Sequence, residues 1–136
     1  MKVRVTQRYS ASPERVFDAW LDRKTAGTWL FATAARPISR VRIDARPGGA
    51  FQFVERGAED DVVHAGEYVM IARPRRLVFT LSERKRRVCV DIVPQGRGCE
   101  LTLVEERAAP GQASGIEGRW AGMLYGLGTM LGESGS

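Results

Sequence analysis

The sequence predicts an α+β domain in which a curved antiparallel sheet of six to seven strands surrounds a long C-terminal helix, with one or two short helices after the first strand. Three observations predict this class. Segments of alternating apolar and polar residues fill the middle of the chain, turn signals separate them with no helical pattern between, and the last segment has a helical period. A length of 136 residues suits one domain, spanning residues 1–136.

The N-terminal part of the chain predicts one strand and then short helices. Val3 and Val5 alternate with polar neighbours, as in a strand with one buried face. Ser12 followed by Pro13 marks a helix start, because serine accepts a bond from a free backbone N–H and proline lacks an N–H that would otherwise be unpaired. Residues 25–31 predict a second short helix whose aromatic side chains point inward.

Six further segments have the composition of strands in a meander. They cover residues 41–45, 50–54, 62–71, 77–81, 88–93 and 100–105. Between the first two, Pro47 fixes one backbone dihedral and Gly48 and Gly49 permit positive φ, which predicts a tight turn. Within that stretch Asp44 and Arg46 are expected to form an ion pair that fixes the turn.

The last segment predicts a long amphipathic helix. Its large apolar residues recur at helical steps: Ile116, Trp120, Met123, Leu124, Leu127, Met130 and Leu131. Pro110 and Gly111 precede it as a break, Ser114 is a potential cap, and Gly132 marks its end. A single helix that follows a sheet buries its apolar stripe on the inner face of that sheet.

Four glycines of this helix, Gly115, Gly118, Gly122 and Gly126, are predicted to lie opposite the apolar stripe. Each costs about 1 kcal/mol relative to alanine in a helix interior. Three interpretations remain open: backbone contact with a second molecule, as in a homodimer; a soft helix that moves to admit a ligand; or simple tolerance.

Charge and cysteine content argue against several classes of function. The net charge is +5, but the basic residues are scattered, and the densest run, residues 84–87, is predicted to be a solvated hairpin turn, so no nucleic acid is expected. Cys89 and Cys99 lie on two arms of one hairpin, with Cys89 expected opposite residue 102 or 103, so they predict free thiols and a cytoplasmic location. No segment has the length of a membrane span, and no metal or cofactor is expected.

Several motifs together resemble a known family. They are residues 11–20, Trp29, residues 44–51 and 66–68, Pro74, residues 77–80 and 101–103, and Trp120. With these, the chain is similar to the family named after the activator of the Hsp90 ATPase. That family lies within the helix-grip superfamily of steroidogenic-acute-regulatory-related and birch-pollen-allergen-like proteins. The resemblance implies a helix-grip fold whose cavity takes lipids, sterols, polyketides or other apolar molecules. It supplies no shared catalytic residues.

The first hypothesis for function is therefore non-enzymatic binding of a small apolar, lipid-like or polyketide-like molecule between the sheet and the last helix. The predicted lining residues are Trp29, Phe51, Phe53, Tyr68, Met70, Phe79, Leu101, Leu103, Trp120, Leu124 and Leu127. A filled core without ligand is the competing interpretation. A chaperone-associated interaction module and a cyclase- or hydrolase-type enzyme are the alternatives, and the enzyme ranks lowest because the inward positions are mostly apolar.

The polar residues provide no predicted catalytic site. His64 would need a partner carboxylate to act as a base, and Glu67 lies on the opposite strand face, so His64 is interpreted as a surface or strand-packing residue. Glu105 and Glu106 are adjacent in a strand and face opposite ways, which argues against a catalytic carboxylate pair.

Overall fold

The computed structural model describes residues 2–31, 38–57, 59–81, 86–107 and 113–132. Within these ranges the elements are, in chain order, β1 (Lys2–Tyr9), α1 (Pro13–Leu21), α2 (Arg23–Trp29), β2 (Ile38–Ile43), β3 (Ala50–Glu55), β4 (Val62–Ala72), β5 (Arg76–Leu81), β6 (Arg86–Gln95), β7 (Gly98–Arg107) and α3 (Ala113–Met130). The predicted α+β class, the seven-stranded curved antiparallel sheet and the long C-terminal helix are confirmed.

The seven described strands lie in the order β1-β7-β6-β5-β4-β3-β2. Strands β2 to β7 are a meander, and β1 joins the far edge by pairing with β7 along its whole length, from Lys2 opposite Glu106 to Tyr9 opposite Cys99. Since β1 and β2 occupy opposite edges, the chain between them must cross the sheet. Helices α1 and α2 lie in this crossing and cover part of the inner face.

Helices α1 and α2 share one polar residue at their junction. The Ser12 side chain accepts a hydrogen bond from the Arg15 backbone N–H at 3.3 Å, which caps the start of α1 as predicted. Asp22 ends α1 and begins α2, where its carboxylate accepts from the Thr25 N–H at 3.0 Å. This short link turns the chain so that Trp20 of α1 and Trp29 of α2 are both buried.

Helix α3 lies along β1 and α2 on the inner face. Its buried side chains include the predicted Ile116, Trp120, Leu124 and Leu127. The Tyr9 hydroxyl of β1 donates to the Leu124 carbonyl oxygen at 2.6 Å. Among the described helices, none combines the length and the apolar character needed to span a bilayer.

Some predictions for the helix ends and turns fall on parts of the chain that the structure does not describe. Pro110, Gly111, the tail after Gly132, residues 84–85 and the side chain of Ser114 are of this kind. The predicted turn at residues 84–87 is wrong in its second half, because β6 begins at Arg86 and both Arg86 and Arg87 pair with β5 and β7.

Met70 was predicted to face the interior, and this prediction is wrong. Tyr68 pairs with Phe79, but the next pair is Met70 with Val78, so a β-bulge inserts Val69 as an extra residue in β4. The bulge reverses the alternation of side chains. Tyr68 is 4% exposed and Met70 45% exposed, and Met70 therefore leaves the predicted lining.

The hairpin of β6 and β7 keeps its two cysteines apart, as predicted, but its strands are paired in a slightly different register from the expected one. Cys89 pairs with Val104 and Cys99 with Pro94, because only Gly96 and Arg97 form the loop between β6 and β7. Gly96 has a φ of 59°, which suits a two-residue hairpin loop. Both cysteines are free thiols, as predicted.

Some glycines, among them Gly66 of β4 and Gly98 of β7, leave no room for a side chain, whereas others have open space. A Cβ on Gly66 of β4 would lie 1.8 Å from the Thr80 carbonyl oxygen and 2.7 Å from the Phe51 ring, whereas a Cβ on Gly118 or Gly122 of α3 would meet nothing within 4 Å.

We therefore expect Gly66→Ala to destabilise the protein by about 1–3 kcal/mol through overpacking. Gly118→Ala should instead stabilise it by up to about 1 kcal/mol, because alanine favours the helix. Urea unfolding followed by circular dichroism measures both. Equal effects of the two substitutions would contradict this distinction.

Candidate functional site

An aromatic pocket lies between the sheet and helices α1 and α2. Eight side chains enclose it: Trp20, Leu30, Phe31, Phe51, Phe53, Tyr68, Leu77 and Phe79. They leave a free volume of only about 10 Å³, which is room for about one water molecule. This pocket is therefore nearly filled by its own side chains.

The rings around the pocket pack edge to face. Phe51 meets Phe79 at 5.5 Å between ring centroids and 88°, and Phe31 meets Phe53 at 5.2 Å and 72°. Such T-shaped pairs are worth about 0.5–1.5 kcal/mol beyond their burial. The pocket wall is therefore well ordered by its own side chains.

Four of the predicted lining residues contact the free space: Phe51, Phe53, Tyr68 and Phe79. Six more are buried in the surrounding core without lining it: Trp29, Leu101, Leu103, Trp120, Leu124 and Leu127. The pocket is also lined by four residues that were not predicted to line it: Trp20, Leu30, Phe31 and Leu77. The apolar stripe of α1 was the signal for Trp20, whereas the place of Phe31 depends on how the chain leaves α2.

One polar atom of the pocket wall lacks a hydrogen-bond partner. The chain has three tryptophans. The indole N–H of Trp29 donates to the Ala19 carbonyl oxygen at 3.0 Å, and that of Trp120 donates to Glu105 at 2.8 Å. The N–H of Trp20 is the one buried side-chain polar atom without a partner in the described part of the chain. Leaving such a group unpaired costs about 1–3 kcal/mol.

Tyr68 supplies a second polar group at the wall. Burial, and then the negative charge of Asp44, raise the pKa of the Tyr68 phenol well above its usual range, so the hydroxyl stays protonated. The turn after β2 holds this residue in place: Gly48 N–H donates to the Tyr68 carbonyl oxygen at 2.8 Å, and Tyr68 N–H donates to Gly49 at 2.9 Å. The predicted Asp44–Arg46 ion pair spans 2.8 Å within that turn.

A buried carboxylate ties helix α3 to the sheet. Glu105 is fully buried, and Arg86 donates to both of its oxygens, at 3.1 and 2.8 Å. Trp120 of α3 donates to the same carboxylate. Bidentate arginine bonds are among the stronger hydrogen bonds in proteins. This role of Glu105 could not be predicted from the sequence, because its partners Arg86 and Trp120 come from distant parts of the chain.

Glu105→Gln should destabilise the fold by about 3–5 kcal/mol, since it leaves the positive charge of Arg86 without its buried partner. Glu106→Gln is the matched control, because the Glu106 side chain is 48% exposed in its 3.4 Å ion pair with Lys2. This control should change stability by less than about 0.5 kcal/mol. Urea midpoints decide the outcome, and similar losses for the two variants would contradict the assigned role.

A histidine–carboxylate pair also lies on the inner face of the sheet. His64 stands opposite Phe53, and its Nε2 lies 2.9 Å from Oε1 of Glu55, which is 7% exposed. The imidazole stacks on the Phe31 ring at 4.7 Å and 5°. The interpretation of His64 as lacking a carboxylate partner is therefore wrong, because the β3–β4 register brings Glu55 to it.

Phe31 has the one positive φ, 61°, among the described non-glycine residues. The left-handed conformation costs roughly 1–2 kcal/mol for a residue with a Cβ. Packing offsets this cost, since the ring contacts Phe53, His64 and, at 6.0 Å, Trp120. In the described residues no group of three His, Cys, Asp or Glu side chains is placed to hold a metal ion.

The backbone strain at Phe31 gives a stability prediction. Phe31→Ala should cost about 3–5 kcal/mol, because it removes the ring and keeps the strain. Phe31→Gly should be about 1 kcal/mol more stable than Phe31→Ala, because glycine adopts positive φ freely. Thermal or urea unfolding compares the two variants. A less stable glycine variant would show that the left-handed backbone is not a cost.

Comparison with known proteins identifies the family to which this chain belongs. Residues 10–132 match the model of the family described as activator of Hsp90 ATPase homolog 1-like protein. The chain belongs to this family. No curated protein matches it.

Several solved structures share the fold. An activator-homologue-like protein from Aeromonas hydrophila is 19% identical with a TM-score of 0.88, and the match covers 97% of this chain and 92% of that one. Protein CV1439 from Chromobacterium violaceum is 25% identical with a TM-score of 0.83, covering 96% of each chain. Protein NE0264 from Nitrosomonas europaea is 18% identical with a TM-score of 0.84, covering 97% and 94%.

Proposed function

We propose that this member of the activator-homologue family binds a small, mostly apolar molecule carrying a hydrogen-bond acceptor in the aromatic pocket. The observation that carries the proposal is the buried indole N–H of Trp20, a residue that lines the pocket, which has no hydrogen-bond partner among the described residues. A carbonyl, ether or hydroxyl oxygen on the ligand would accept that bond. The surrounding rings would take the apolar body.

The energetics favour such a ligand. Each Å² of apolar surface removed from water contributes about 25 cal/mol. A bond to Trp20 would remove the cost of a buried donor without a partner. Tyr68 lines the same pocket, and its neutral hydroxyl provides a second group able to orient the ligand. Lipid-like and polyketide-like molecules have this combination of rings or chains with few oxygens.

Because the free space is about 10 Å³, binding requires part of the wall to move. Two features favour movement. Phe31 lines the pocket on a strained backbone. Helix α3 supports the wall from behind, since Trp120 packs against Trp20 and Phe31, and it carries Gly115, Gly118 and Gly122 in open space, where each lowers the stability of the helix.

Binding can be tested with 6-propionyl-2-dimethylaminonaphthalene, a fluorescent probe that has a ketone acceptor and no donor. The wild-type protein should increase and blue-shift its emission. Trp20→Phe should weaken binding roughly 2- to 10-fold, because one hydrogen bond is lost and the ring is largely kept. Leu124→Asp should abolish uptake, because it places a charge on the buried face of α3.

Val93→Asp is the matched control for the charged variant, because Val93 is 59% exposed. It should bind the probe like the wild type. Circular dichroism checks that each variant is folded. Absence of uptake by the wild-type protein would overturn the proposal, and unchanged affinity in Trp20→Phe would remove the role of the indole N–H.

A chaperone-associated interaction module is the second candidate, and the family description is the observation that favours it. An ATPase assay of purified Hsp90 with this chain tests it directly. Stimulation that persists in Trp20→Phe would support surface docking in place of pocket binding. We also infer a reducing compartment such as the cytoplasm, because both cysteines are free.

A further inference from the structure

The Glu55–His64 pair is polar, whereas its neighbours on the inner face of β3 and β4 are aromatic. The neighbouring inward positions are Phe51, Phe53 and Tyr68, all of which line the aromatic pocket. Glu55 follows Phe53 by two residues on β3, and His64 stands directly opposite Phe53 on β4. Both polar side chains therefore continue the same face, at the end of the pocket away from the Asp44–Gly49 turn.

The hydrogen bond determines which imidazole atom is left for a ligand. A carboxylate oxygen accepts hydrogen bonds, so the 2.9 Å contact with Glu55 assigns the imidazole proton to Nε2 of His64. In the neutral imidazole the other nitrogen, Nδ1, then carries a lone pair. Within the described ranges no group bonds to Nδ1. With the side chain 23% exposed, Nδ1 is an acceptor in a mostly apolar setting.

Phe31 connects this acceptor with the pocket. Its ring lines the pocket and also stacks on the imidazole at 4.7 Å, so a single side chain touches both sites. The Phe31 backbone is strained, with φ of 61°, and release of this strain lowers the free-energy cost of moving the ring out of the pocket. Once the ring is displaced, the free space of the pocket and the surface of His64 become continuous.

We propose that His64, oriented by Glu55, is the polar end of the binding site and accepts a hydrogen bond from a hydroxyl group of the ligand, which enters the space that Phe31 occupies. This inference rests on the proposed binding function and narrows its ligand class. Trp20 requires an acceptor and His64 requires a donor. A hydroxylated ring compound, such as a phenol or a hydroxylated polycyclic molecule, meets both requirements.

Two probes of nearly equal size test whether a hydroxyl donor on the ligand strengthens binding. 2-Naphthol has a hydroxyl that can donate to Nδ1, and 2-methoxynaphthalene keeps the oxygen acceptor but has no donor. Fluorescence titration at pH 7 measures both affinities. The wild-type protein should bind 2-naphthol about 3- to 10-fold more tightly, which corresponds to one net hydrogen bond. His64→Leu should bind the two probes equally.

Two further variants complete the design. Gln52→Leu on the opposite face of β3 is the matched control and should keep the preference for 2-naphthol. Phe31→Gly should bind 2-naphthol roughly tenfold more tightly than the wild type, because no ring then has to be displaced from the site. Circular dichroism and a thermal melt confirm that each variant is folded at the temperature of the titration.

The outcomes separate this inference from the function on which it rests. If neither probe binds the wild type or Phe31→Gly, the pocket itself is refuted. If both probes bind but the wild type and His64→Leu show the same ratio of affinities, pocket binding stands and the hydroxyl site is refuted. The Glu55–His64 pair would then be a purely structural contact between β3 and β4.

Discussion

The interior of this protein depends on how one helix is held against a curved sheet. Apolar packing alone would let α3 slide or rotate on the inner face, since dispersion contacts have little direction. The Glu105 carboxylate removes that freedom, because it accepts from Arg86 of β6 and from the Trp120 indole of α3 while fully buried. The Tyr9 hydroxyl fixes a second point, at the Leu124 carbonyl oxygen. Together they hold α3 at two points, and Trp120 of that helix packs behind the pocket wall against Trp20 and Phe31.

Buried polar side chains are few in this interior, so each one points to a specific structural or functional role. A buried donor or acceptor is normally paired, and in the described residues the indole of Trp20 breaks this rule. The Glu55–His64 pair follows the rule but places a charge-bearing contact on a face otherwise made of aromatic rings. Both Trp20 and the Glu55–His64 pair lie near Phe31, whose backbone is itself strained. Unpaired groups and strain that occur together are typical of sites where something binds.

Much of this architecture could be predicted from local patterns. The cap at Ser12, the turn through Gly48 and the apolar stripe of α3 each depend on neighbouring residues, so their signals are present in short windows of sequence. Contacts that depend on register could not be predicted in this way. The bulge at Val69 turned Met70 outward, and the β3–β4 alignment paired His64 with Glu55. Glu105 was missed for the same reason, because its partners lie 19 and 15 residues away in sequence and on different elements.

The arrangement of the first strand has a consequence for how the chain is made. Strand β1 is synthesised first, yet its only strand neighbour among the described elements is β7, and its helical cover is α3. A ribosome that adds about 5–20 residues each second therefore releases an open, concave sheet before the closing segments exist. Native contacts between such distant parts of a chain form slowly. The nascent protein thus exposes the aromatic surface that later becomes its interior, and its yield in a cell should depend on whether that surface is protected until β7 and α3 have been synthesised.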